Sequence, residues 1–214
     1  IFYGLAFFFG GLCLRFPDMV YEFMSSSQAR NLEMMYDPSN SHFLEPRDVS
    51  SDADMFGFYI YHNISIAFRT FAGGMLCGAG SLFFLAANGL FLGVSAAHII
   101  NKGFGSAFFP FIIGHSAFEL TAIIFSAQAG LILGYRFFVT RGLSRAASLR
   151  EAGREALPLI SGAALLLLIA AGIEAFWSSR FTLPLRLRYG VGIGLWVLLI
   201  LYFLFAGSSR RRRP

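Results

Sequence analysis

Residues 111–135 read FIIGHSAFELTAIIFSAQAGLILGY. The stretch has the length and apolarity of a membrane-spanning helix, since about 20 residues cross the hydrocarbon core. Two ionisable residues interrupt it, His115 and Glu119. Four residues apart on a helix, they share a face one turn apart. A charge near the bilayer centre costs about 2.5–3.5 kcal/mol on insertion scales. The pair is therefore expected to share a proton or a hydrogen bond. Further along, Gly130 and Gly134 repeat the four-residue spacing with small residues, which lets a second helix backbone approach closely. Such a helix belongs in a transmembrane bundle.

The composition agrees. Of 214 residues, 56% are hydrophobic and 14% charged, against roughly 25% charged in ordinary soluble domains. The net charge of +5 comes from arginines in short segments beside apolar runs. That is the pattern found next to membranes, and no nucleic-acid partner is expected. Cys13 and Cys77 lie in apolar surroundings with no Cys or His at ligand spacing, and read as buried small hydrophobes. The opening run IFYGLAFFFGGLCL, residues 1–14, is too short to span. It reads as the end of a truncated first transmembrane helix that starts before Ile1.

Five further apolar stretches follow, roughly 57–77, 80–100, 107–135, 156–177 and 190–206. The predicted fold is all-α, a polytopic transmembrane helix bundle of about six spans. The stretch 107–135 is long for one upright helix, so it tilts or begins with a short re-entrant piece near Pro110. The break GGMLCGAG, residues 73–80, has neither charge nor proline. It reads as a glycine-rich hairpin or re-entrant element covered by other helices or a partner subunit. The pairs Gly74 and Gly78, Gly89 and Gly93, Gly130 and Gly134, and Gly190 and Gly194 read as helix-packing surfaces, within or between subunits. A homo-oligomer, with a dimer favoured, is expected.

Orientation follows from loop arginines. Segment 136–155 carries Arg136, Arg141, Arg145, Arg150 and Arg154, and the tail carries Arg210, Arg211, Arg212 and Arg213. Both are expected in the cytoplasm. Segment 15–55 carries Asp18, Glu22, Glu33, Asp37, Glu45, Asp48, Asp52 and Asp54. It is expected to be extracytoplasmic. Arg180, Arg186 and Arg188 run against this scheme. DMVYEFMSS, residues 18–26, could continue the first helix beyond the bilayer. The whole segment reads equally as an amphipathic cap or as a partner-binding surface.

The polar residues inside the spans are Asn63, Arg69, Asn88, His98, His115, Glu119, Gln128 and Glu174. They form either a network that fixes helix register or a path for an ion, proton or substrate. Arg69 is the natural ionic partner for Glu119, and Glu174, beside Trp177, is placed to reach the interface. Enzyme motifs are missing: no HExxH, Walker lysine or nucleophile elbow occurs. No enzyme, cofactor or metal is expected.

Three stretches together carry a resemblance: FYIYHNISIAFRTFAGGMLCGAGSLFFLAANGLFLG (58–93), FIIGHSAFELTAIIFSAQAGLILGY (111–135) and GIEAFWS (172–178). They resemble the stage II sporulation protein M family of integral membrane proteins. The matching features are Asn63 opening a span, the glycine-rich break, Asn88-Gly89, Gly114-His115-x-x-x-Glu119 and the acidic turn at Glu174. In spore formers the family member helps localise peptidoglycan-cleaving partners during engulfment, so the resemblance implies a scaffold. The organisation expected is residues 1–14, the truncated helix; 15–55, the acidic segment; 56–178, the family-like core; and 179–214, an additional span with a basic tail. The expected partners are the lipid bilayer and envelope proteins, at the bacterial inner membrane with the C-terminus in the cytoplasm. The alternative is a transporter or channel with a polar path through His115 and Glu119.

Overall fold

A computed structural model describes residues 1–39 and 49–206, and all their regular structure is helical. Glu45, Asp48 and the basic tail Arg210–Arg213 lie outside the described residues. Helix α1 (Phe2–Arg15) ends before Pro17, because the residue preceding a proline is pushed out of the helical region; Phe16 sits at φ −130°. The chain therefore does not continue α1 through residues 18–26. It makes a 3₁₀ turn at Pro17–Met19 and a short α2 (Val20–Phe23). A capping box of Ser25 and Gln28 then starts α3 (Ser26–Tyr36) by satisfying backbone donors on both sides of the cap.

Helix α4 (Val49–Ala72) leads through a 3₁₀ turn at Gly73–Met75 to α5 (Ala79–Asn101). Next come α6 (Gly105–Ile112), α7 (Ser116–Phe138), α8 (Arg145–Ile173), a π-helical turn at Glu174–Ser178, and α9 (Leu185–Phe205). Among the described residues, four helices are long and apolar enough to cross a membrane: Ala79–Asn101, Ser116–Phe138, Arg145–Ser178 and Leu185–Phe205. Helix α1 is apolar but has 14 residues. Helix α4 carries Asp52, Asp54, His62, Asn63 and Arg69, which dilute its hydropathy. The stretch 107–135 is two helices, parted where Gly114 packs against Ser178 and Trp177.

Antiparallel α7 and α8 form the centre, with α4 against both and α5 between α4, α7 and α1. Their glycines set the spacing. A Cβ on Gly74 would stand 2.1 Å from the Gly130 carbonyl oxygen, and one on Gly134 would stand 2.2 Å from the Gly78 nitrogen. Helix α7 thus covers the flank of the hairpin, whose reversal uses left-handed Cys77 and Gly78 at φ 57° and 83°. The hairpin tip is open. Met75 and Leu76 are exposed, and so is Cys77, contrary to its reading as a buried hydrophobe: at the apex of a tight turn it has no helix beyond it to pack on. Gly89 and Gly93 of α5 abut the carbonyls of Phe2 and Ala6, and Asn101 donates to the Cys13 carbonyl at 3.0 Å. Helices α1 and α5 therefore run parallel. Gly190 and Gly194 meet nothing within 4 Å; Gly192 between them abuts Ile113.

The acidic segment folds back as a cap. Val20, Met24 and Ala29 bury themselves with Cys13, Val94 and Ala97. Glu33 then reaches His98 at 2.8 Å and Lys102 at 3.0 Å. Burial alone would push the Glu33 carboxyl up, but hydrogen bonds from Lys102 and His98 outweigh it and hold it below the ordinary glutamate range. The same Glu33 hydrogen bond raises Lys102. A carboxylate with a depressed pKa contributes stability above its unfolded-state value and loses it as pH falls through the folded-state value. A lysine with a raised pKa contributes below its unfolded-state value and loses it as pH rises through the folded one. The α3 anchor should therefore hold from neutral pH through mildly acidic conditions and loosen only below the ordinary glutamate range. Glu33→Gln should cost about 1 kcal/mol, discounted for partial exposure, and speed amide exchange across residues 26–36 at neutral pH. Unchanged exchange would mean that apolar packing alone holds the cap.

Candidate functional site

One end of the α4–α7–α8 core gathers five polar side chains from three helices. His115 is the N-cap residue of α7, and Glu119 lies one turn in. Glu174 opens the π-helical turn that ends α8, and Ser178 closes it. His115 Nε2 stands 3.7 Å from Glu119 Oε2 and 4.0 Å from Glu174 Oε1. On the other side of the ring, Nδ1 is 3.1 Å from Ser178 Oγ. With the proton on Nδ1, Ser178 accepts and the Nε2 lone pair faces the two carboxylates. One donor atom from each of His115, Glu119 and Glu174 lies within 4.8 Å of the others.

Asn63 of α4 completes the wall. It is buried with its amide toward the Glu174 carboxylate, and its Nδ2 falls short of full hydrogen-bond geometry there. Tyr36, the last residue of α3, closes the site from the cap through ring contacts to Phe108 and Phe111 of α6. Burial, then the nearby Glu174, Tyr59 and Glu119, push its hydroxyl well above the ordinary tyrosine range, so it stays protonated and can donate. On the side toward the hairpin the site meets an apolar layer of Ala67, Ala122, Ala163 and Leu167. Hydroxyls near that layer turn to their own helices: Ser126 bonds the Ala122 carbonyl and Thr70 the Ile66 carbonyl.

Asn63, His115, Glu119 and Glu174 thus come together, and other expected members do not. Arg69 is exposed and, among the described ion pairs, makes none with Glu119. The reason is distance along α4, because Arg69 lies more than a helical turn beyond Asn63 toward the hairpin. Asn88 donates to its own helix at the Phe84 carbonyl. Gln128 is exposed, and His98 serves the α3 anchor. Glu174 is buried rather than at an interface. Arg188, which reads as a loop charge, is buried in α9 and donates to the Ser178 carbonyl at 2.7 Å. Trp196 of α9 donates to Ser116 at 3.1 Å. Ser178 and Tyr36 had no signal in the sequence, because the first depends on a π-helical turn and the second on a cap folding back.

A family model described as stage II sporulation protein M (SpoIIM) matches residues 1–179. The chain belongs to this family. The SpoIIM match takes in the cap and all of the residues that line the site, and it stops just after the π-helical turn; α9 follows it. No curated protein and no solved structure matches the chain. Membership in SpoIIM, with four apolar helices of spanning length, suggests an integral membrane protein.

Proposed function

We propose that this chain is a non-enzymatic scaffold of the bacterial cell envelope that organises partner proteins at the inner membrane. The observation that carries the reading is the apolar layer of Ala67, Ala122, Ala163 and Leu167 beneath the polar cluster. A conduit needs polar groups or water along its whole length, and this cluster ends after one helical turn. What the cluster supports instead is fixed helix register in the half of the bundle that carries the cap.

In this reading six helices cross, with α1 and α4 added to the four longer apolar ones. The cap lies outside, and the α7–α8 connection and the C-terminus lie in the cytoplasm. The loop arginines support that orientation. The cap is the surface offered to envelope partners: Met35 and Tyr21 are exposed on it although its other face is buried. The open face of Gly190 and Gly194 on the largely exposed α9 supports self-association, with a dimer as the simplest form.

Two measurements test it. Liposomes holding the purified protein should show no proton or ion flux, in wild type or in Glu119→Gln. The variant should instead melt a few degrees lower, because buried His115 loses the carboxylate it faces at 3.7 Å. Flux in the wild type that disappears in folded Glu119→Gln would establish the transporter alternative. In cells, deletion of residues 22–54 should abolish co-isolation of envelope proteins. A deletion without effect, together with no partner for the intact protein, would sink the scaffold.

A further inference from the structure

We propose that His115, Glu119 and Glu174 form a binding site for a divalent first-row cation, which ties α7 to the π-helical turn of α8 beneath the cap. The donor set is one imidazole nitrogen and two carboxylates. That mixture suits zinc and its neighbours better than the all-oxygen sets of calcium and magnesium. Zinc bonds to nitrogen and oxygen are about 2.0–2.2 Å, which places neighbouring donors about 3.4 Å apart. The distances here are 3.7 Å and 4.0 Å from the imidazole, with all three donors within 4.8 Å. Carboxylate shifts of about 1 Å close the sphere.

Three further observations point to a cation. The first is the partner of His115 Nδ1. A ligating histidine characteristically gives its second ring N–H to an acceptor, which orients the ring, and Ser178 Oγ is in place at 3.1 Å. The second is charge. Two carboxylates face the imidazole, and among the described ion pairs no lysine or arginine reaches either. The nearby arginines are engaged elsewhere: Arg188 with the Ser178 carbonyl and the Phe181 ring, Arg180 with Asp52. Two carboxylates this close, Glu174 buried and Glu119 half-buried, need a proton or a cation between them, and a divalent cation offsets both charges at once. The third is Asn63, 3% exposed, whose side chain faces the Glu174 carboxylate as a weak donor, with Nδ2 short of full hydrogen-bond geometry. An amide turned the other way presents its oxygen as a fourth ligand and leaves the other open position to water. Such turns are an assignment choice for amides. The inference does not rest on the scaffold reading and commits to binding alone.

The two tryptophans of the chain make the test direct. Trp177 lies in the same turn as Glu174, and Trp196 bonds Ser116 next to His115. The full chain, purified in detergent and stripped with a chelator, is titrated with Co²⁺ and then Zn²⁺. One equivalent of Co²⁺ per chain should quench the tryptophan emission and develop visible absorption, and one equivalent of Zn²⁺ should reverse both. Glu119→Gln and Glu174→Gln should each weaken binding at least a hundredfold. Ser178→Ala should weaken it about 10- to 100-fold, the usual cost of losing the partner that orients a ligand. Asp52→Asn, a buried acid outside the cluster, should leave it unchanged. The proposal is overturned if the wild type binds no more metal than the Glu119→Gln/Glu174→Gln double variant, or if Asp52→Asn weakens binding as much as either carboxamide. Should neither carboxamide yield folded protein, Ser178→Ala decides, and undiminished affinity there overturns the site.

Discussion

Gly74→Val should prevent the bundle from assembling, whereas Gly190→Val and Gly194→Val should leave it intact. At Gly74 the first added carbon would stand 2.1 Å from the Gly130 carbonyl oxygen, with the Gly130 Cα at 2.5 Å. Backbone atoms of two helices cannot yield as a flexible side chain can. The hairpin must then move away from α7, and the Gly78–Gly134 contact opens with it. Overpacking a core costs about 1–3 kcal/mol when side chains can adjust, and this site lies beyond that range because nothing there adjusts. At Gly190 and Gly194 nothing stands within 4 Å, and the substitution merely replaces a poor helix former. The comparison is read from thermal unfolding and from the monodisperse fraction in detergent. If Gly190→Val were as damaging as Gly74→Val, α9 would have a partner through that face, and a dimer would be the first place to seek it.

The second large effect is expected at Arg136. Its side chain is 4% exposed, hydrogen-bonded to Glu155 and 3.3 Å from Glu151. The Arg136 carbonyl in turn accepts from Ser148 at 2.9 Å. Residues on both sides of the α7–α8 connection are thus held to one arginine. Arg136→Met removes the charge and retains much of the stem. Breaking a fully buried ion pair costs about 3–5 kcal/mol. Glu151 and Glu155 are half exposed and will be solvated by water instead, which brings the cost well below that of a fully buried pair. The loss should still be visible as a fall in Tm of several degrees. The Glu151→Gln/Glu155→Gln double variant should recover part of the loss in the Arg136→Met background, since it removes the unpaired carboxylates. Purely additive losses would show that Arg136 acts through its apolar stem.

The legible part of the fold was the part written in local periodicity. The spacing of Gly130 and Gly134 declares a close approach, and the approach exists; the same spacing at Gly190 and Gly194 has no neighbour in this chain. Spacing states what a helix face permits, while only the partner helix decides whether the permission is used. The same holds for the polar cluster. His115 and Glu119 are one turn apart and could be paired on the page. Glu174 and Asn63 reach them only because α7 and α8 are antiparallel and α4 packs on both. Ser178 depends further on a π-helical turn, which has no residue signature. Arg188 misleads most: an arginine just after a polar loop reads as solvated, but Phe181 and the Ser178 carbonyl receive it inside. The anchor between Glu33 and His98 joins residues 65 apart, a distance over which no local pattern speaks. The matched family region, residues 1–179, includes that anchor although the recognisable motifs begin later.

Helix α1 runs alongside α5 in the same direction, so like ends of two helix macrodipoles lie side by side. Helices α4 and α7 run the other way past α5 and offset its field; α1 gains no such relief from α5. It is held instead by distance. The carbonyl oxygens of Phe2 and Ala6 occupy the space that a Cβ on Gly89 or Gly93 would fill, an approach at which C–H···O contacts contribute about 0.5–1 kcal/mol each. Glycine freezes no rotamer when the surfaces meet, so little of that gain is spent on entropy. Short-range contact must outweigh the like-ended dipoles, so a larger residue at Gly89 or Gly93 should unseat α1 from α5.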